Sequence, residues 1–190
     1  MRQGLRFRRP HLLALVGALA CGALTAALAS GAGPGPRLIT LKAGPEARVI
    51  LKASDGGDLV RIAGSAPGDV TFGGDRQYTS QRTDCTVTGP AMTNAVCSDP
   101  DLETIDVSLG DGRDELKVEG DYISSGVRIK ASGGPRDDRL RGSDARDDLD
   151  GDGGRDELLG RGGNDHLDGG ADDDDCRGGP GGDSIRNCEG

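Results

Sequence analysis

A chain of 190 residues with a formal net charge of -9, two Phe, two Tyr and no Trp has too little aromatic area to build a large core. Aliphatic stacking, disulfides or metal must supply the cohesion. Its 34 glycines follow no three-residue period, which excludes collagen, and the acidity argues against nucleic acid and anionic lipid as partners while favouring divalent cations.

The N-terminus carries Arg2, Arg6, Arg8 and Arg9, an apolar stretch from Leu12 through Ala20, and the small-residue tripeptide Ala27-Leu28-Ala29. This is the layout of a secretory signal peptide over residues 1–29. Cleavage is expected after Ala29, with Ala32 as the alternative. Left uncleaved, Leu12 to Ala29 would approach the length of a bilayer anchor. Residues 30–36 read as a linker. The expected mature protein is extracellular, with cell-surface association as a variant, and has no membrane partner once the leader is gone.

Residues 37–132 contain short segments in which apolar residues recur every second place, among them Arg48-Val49-Ile50-Leu51, Leu59-Val60-Arg61-Ile62, Ile105-Asp106-Val107-Ser108-Leu109 and Val127-Arg128-Ile129. Glycine, proline or aspartate separates them, so they are expected to be strands. No helical periodicity competes. This β-rich section is expected to cover one end of the segment that follows and to continue its strand stacking.

Four cysteines remain after Cys21 leaves with the leader, which permits three pairings. The preferred one joins Cys85 to Cys97 and Cys176 to Cys188, two loops of equal length, each stabilising by roughly 2–3 kcal/mol in the chain-entropy model. Paired cysteines fit an oxidising compartment. A zinc site would call for shorter Cys and His spacings, and His166, the one histidine outside the leader, reads as a surface residue.

From Gly133 the sequence divides without a gap into six nonamers: GGPRDDRLR, GSDARDDLD, GDGGRDELL, GRGGNDHLD, GGADDDDCR and GGPGGDSIR. The first position is always glycine (Gly133, Gly142, Gly151, Gly160, Gly169, Gly178). The sixth is always aspartate (Asp138, Asp147, Asp156, Asp165, Asp174, Asp183), and the eighth is apolar (Leu140, Leu149, Leu158, Leu167, Cys176, Ile185). An isolated relative, LGDGRDELK, places Asp114 and Leu116 in the matching positions upstream. Glycine allows a tight turn that exposes backbone carbonyls, and aspartate adds a carboxylate. The resulting all-oxygen environment suits Ca²⁺. The apolar residue points inward, so successive copies are expected to stack as an aliphatic ladder.

These residues resemble the RTX, or haemolysin-type, calcium-binding repeat, whose pattern is GGxGxDxUx. The resemblance implies an all-β chain with a parallel β-roll, or β-solenoid, over 133–190, two nonapeptides per coil. It also implies that aspartates two repeats apart share a calcium ion: Asp138 with Asp156, Asp147 with Asp165, Asp156 with Asp174, Asp165 with Asp183. Glycine is missing from the fourth position at Arg136, Ala145 and Asp172, which weakens the first, second and fifth turns and leaves Asp165 with Asp183 as the pair closest to the pattern. An EF-hand is not expected, because the loop opened by Asp148, Asp150 and Asp152 has Leu159 where a bidentate Glu belongs.

The expected function is that of a non-enzymatic, secreted calcium-binding protein with a structural or adhesive role. A carbohydrate- or surface-binding module stiffened by calcium is the alternative, weakened by the shortage of aromatics. Catalysis is not expected: there is no His-Glu-x-x-His, no Gly-x-Ser-x-Gly and no histidine between residues 37 and 131.

Overall fold

The computed structural model describes residues 38–189 apart from 44–47, 54–55, 67–68, 76, 81–84, 89–92, 100 and 120–125. The expected leader (1–29) and linker (30–36) lie outside the described residues. The described residues belong to one compact unit, 34–190, and their regular structure is all strand. In chain order the strands are β1 (Leu38–Ala43), β2 (Arg48–Lys52), β3 (Leu59–Ala66), β4 (Asp69–Gly74), β5 (Gln77–Ser80), β6 (Cys85–Thr88), β7 (Asn94–Ser98) and β8 (Thr104–Ser108). There follow β9 (Glu115–Glu119), β10 (Arg128–Pro135), β11 (Arg139–Arg141), β12 (Asp148–Gly153), β13 (Glu157–Leu159), β14 (His166–Asp168), β15 (Asp175–Arg177) and β16 (Ser184–Arg186). The four upstream segments expected as strands become β2, β3, β8 and the start of β10.

The strands form two eight-stranded sheets, ordered β16-β14-β12-β10-β8-β2-β1-β5 and β15-β13-β11-β9-β3-β4-β7-β6. From β8 onward the chain alternates between them, and each strand pairs in parallel with the next but one. Within the nonamer array the register step is two repeats, as in Leu149 opposite Leu167 and Leu140 opposite Leu158. The parallel stacking continues upstream through β2 with β8 and β3 with β9. Only at the far end does pairing turn antiparallel, in β1 with β2 and in the run β3-β4-β7-β6.

Because side chains alternate across a strand, one residue per nonamer faces inward and meets its counterpart in the neighbouring strand. One ladder runs Leu51, Val107, Ala131, Leu149, Leu167, Ile185 and the other Val60, Leu116, Leu140, Leu158, Cys176. All of these are buried except the last rung of the first ladder. Ile185 is 45% exposed, contrary to the inward burial expected of it, because among the described residues β16 is the edge strand of its sheet.

Two disulfides fasten the ends. Cys85–Cys97 joins β6 to β7 at directly opposed positions, and Cys176–Cys188 ties β15 to the residues after β16. The ladders predict a contrast between rungs. Leu158→Ala, at a fully buried rung, is expected to cost about 2–5 kcal/mol, whereas Ile185→Ala is expected to cost less than about 1 kcal/mol. Chemical denaturation at saturating calcium checks both.

Candidate metal centre

The turns between strands gather along two edges of the paired sheets. Those at residues 109–114, 133–138, 151–156 and 169–174, like residues 56–58 before β3, lead from the first sheet to the second, and those at 142–147, 160–165 and 178–183 lead back. The sixth-position aspartates therefore stand in two columns. In the first column the backbone N–H of Asp58 donates to Oδ1 of Asp114 (2.6 Å), that of Asp114 to Asp138 (2.7 Å), that of Asp138 to Asp156 (2.8 Å) and that of Asp156 to Asp174 (2.8 Å). In the second, the N–H of Ile129 donates to Asp147, that of Asp147 to Asp165 and that of Asp165 to Asp183, each at 2.9 Å. The four pairs expected to share an ion are thus stacked neighbours, linked through one carboxylate oxygen.

The second oxygen has a different environment. Oδ2 of Asp138, Asp156, Asp165 and Asp174 is buried and receives no hydrogen bond. Beside it lies the first-position glycine of its own repeat. A Cβ added to Gly133 would come within 2.5 Å of Asp138 Oδ2 and 3.0 Å of the Gly151 carbonyl oxygen. Added at Gly151 or Gly160, it would stand less than 3 Å from Asp156 Oδ2 and the Gly169 oxygen, or from Asp165 Oδ2 and the Gly178 oxygen. The invariant glycine thus leaves room for a carboxylate oxygen and a carbonyl oxygen from the stacked turn to approach one another. Two acceptors facing each other without a donor are costly, by about 1–3 kcal/mol or more for a charged group. A hard cation removes that cost, and the oxygen-only surroundings match its preference.

Backbone shape supports the same reading. Five of the six turns place left-handed residues at their second and fourth positions: Gly134 with Arg136, Asp152 with Gly154, Arg161 with Gly163, Gly170 with Asp172, and Gly179 with Gly181. Arg136 (φ 87°) and Asp172 (φ 82°) adopt this conformation although they lack glycine's freedom, so the first and fifth turns keep the shape of the others. The second turn, Gly142 to Asp147, is the exception. Neither Ser143 nor Ala145 is left-handed. The Ser143 N–H and Oγ both donate to Asp147 Oδ2, at 2.6 and 3.0 Å, so the oxygen left bare in neighbouring turns is satisfied here by protein.

Asp58 was not apparent as a member of the column. The signal was present, since in ASDGGDLVR Asp58 and Val60 hold the sixth and eighth places, but 56 residues separate it from Asp114 and no regular period links them. His166 sits on β14, its ring beside Arg186 and its backbone N–H on the Asp147 carbonyl.

Burial pushes the carboxyl of Asp138 up to about 7 and those of Asp156 and Asp165 up to about 6; stacked carboxylates add to the rise and the N–H bonds oppose it. These folded-state values exceed the unfolded value of ~3.9. Their contribution to the metal-free fold is therefore complete below about pH 4 and disappears as pH rises through 6 to 7. The melting temperature of metal-stripped protein is expected to fall between pH 5 and pH 7.5 and to be restored by calcium, which needs the ionised form. Replacing Arg136 by Gly should add roughly 1 kcal/mol by removing left-handed strain, read from denaturant melts at saturating calcium.

No curated protein and no solved structure matches the chain. Residues 131–158 and 150–185, however, match the family model of the RTX calcium-binding nonapeptide repeat, in four copies. The stacked turns from residue 131 to residue 185 are RTX calcium-binding nonapeptide repeats, and Ca²⁺ is the ion that such repeats bind.

Proposed function

We propose that this chain is a secreted, calcium-assembled β-roll that serves as a structural module at or beyond the cell surface. The observation that carries the reading is the set of buried carboxylate oxygens that face a stacked carbonyl with no donor between them. Asp138, Asp156 and Asp165 present such an oxygen within the repeats and would hold calcium together with the carbonyls of Gly151, Gly169 and Gly178. Asp174 and Asp183 also act as acceptors that fix the aspartate eighteen residues earlier. Asp147 contributes to stacking, its second oxygen being occupied by Ser143.

Calcium here would do no chemistry on a substrate. It would cancel the repulsion between columns of like charge and join one turn to the next, so that folding and binding become one process. Millimolar extracellular calcium suffices for sites with affinities of ~10⁻⁴ to 10⁻³ M. Secretion is supported by the layout of residues 1–29 and by the two disulfides, which belong in an oxidising compartment. An adhesive role rests on that location and on the acidic outer surface.

Circular dichroism of oxidised protein in chelator and in 5–10 mM Ca²⁺ (about ten times the weaker affinity bound) tests the reading. At neutral pH strand signal and melting temperature should rise with calcium and not with equimolar Mg²⁺, whose small, rigid octahedron suits these turns poorly. Identical spectra in the two conditions would overturn it. Calorimetric titration separates the aspartates: Asp156→Asn should bind one ion fewer, while Asp147→Asn should keep the wild-type count and lose about 1–3 kcal/mol of stability, because an amide meets the Ser143 donors.

A further inference from the structure

The matched repeats end at residue 185, yet the first column does not end with them. The next nonamer would begin at Asn187, and residues 187–189 fold back over the fifth turn as a shortened copy of one. The N–H of Gly169 donates to the Arg186 carbonyl (3.0 Å), as the N–H of Gly160 does to that of Arg177 (2.9 Å). Asn187 then supplies its carbonyl where a first-position glycine would supply one: a Cβ on Gly169 would meet both the Asn187 oxygen and Asp174 Oδ2 within 2.5 Å. Glu189 takes the place of the missing aspartate. Its Oε2 accepts the Asp174 N–H at 3.0 Å, and its own N–H donates to the Asp174 carbonyl at 3.1 Å.

Asp174 is 3% exposed, and its Oδ2 receives no hydrogen bond. A tail that merely capped the stack would be expected to bring a donor to that oxygen, as Ser143 does for Asp147. It brings a second acceptor instead. The tail is held in place by the Cys176–Cys188 disulfide and by the Asn187 side-chain amide, which donates to Asp168 Oδ1 at 2.7 Å.

We propose that the disulfide-anchored tail completes an additional calcium site, outside the repeat pattern, in which Asp174 Oδ2 and the Asn187 carbonyl oxygen are ligands and Glu189 fixes the Asp174 backbone. The site exists only while the bridge is closed, so oxidation of one cysteine pair sets the calcium capacity of the last turn. This rests on the calcium reading above and adds one site to it.

The test counts calcium bound per chain, by equilibrium dialysis with radioactive Ca²⁺ on the full oxidised chain and on two variants. Cys176→Val with Cys188→Ser opens this bridge and leaves Cys85–Cys97 intact. Asp174→Asn keeps the bridge and replaces the ligand oxygen Oδ2 by an amide nitrogen, while the remaining oxygen still accepts the Asp156 N–H. Each variant is expected to bind one ion fewer than the wild type. Asp174→Asn remains readable if the bridge-free chain does not fold. An unchanged count in Asp174→Asn overturns the site, and an unchanged count in the bridge-free variant overturns its dependence on the disulfide. A wild-type chain that binds no calcium instead defeats the broader function proposed above.

Discussion

The structure depends on the way each buried aspartate divides its two oxygens. One accepts a backbone N–H from the coil stacked before it, at 2.6–2.9 Å from Asp114 to Asp183. That bond ties neighbouring turns together and works whether or not an ion is present. The other oxygen faces a carbonyl across the gap left by a glycine and is stable there only with a proton or a cation. The two halves of a single carboxylate thus set stacking and ion demand separately. The second turn makes the division visible, since Asp147 keeps the first bond and has the second demand met by Ser143.

This division explains how so thin a core can hold. Each nonamer contributes one inward residue to a ladder, far less apolar area than a helix or broad strand would supply, and backbone ordering costs roughly 1–2 kcal/mol per residue. Parallel pairing, the carboxylate bonds and calcium share the burden, while the disulfides shorten the unfolded chain at the two places where stacking gives out. At the upstream end that is the antiparallel run β3-β4-β7-β6, closed by Cys85–Cys97. At the other it is the edge strand β16, where Ile185 is left exposed and Cys176–Cys188 draws the tail across.

Much of this was legible in the residues. Glycine, aspartate and an apolar residue in fixed phase from Gly133 to Ile185 identified the array and its ion, equal loop lengths pointed to the cysteine pairing that the structure contains, and alternation over 48–51 or 105–109 identified strands. What escaped sequence reading were features that depend on contacts across the stack rather than on position within a repeat. Ser143 carried no signal, because the second position varies from copy to copy, yet its hydroxyl decides the state of Asp147. Arg136 and Asp172 looked like weak points of their turns, yet both adopt the left-handed geometry that glycine takes elsewhere. Asp58 was hidden by distance along the chain.

That distance has its own meaning. Consecutive rungs of one column are separated by 56 residues between Asp58 and Asp114, by 24 between Asp114 and Asp138, and by 18 from there to Asp174, yet the bonds that join them are nearly the same length. The scaffold is indifferent to how far the polypeptide wanders before returning to its place, provided it returns in register. The detour through β4 to β7 therefore marks a natural splice point, where a foreign loop or a whole passenger domain could be carried without disturbing the rungs on either side.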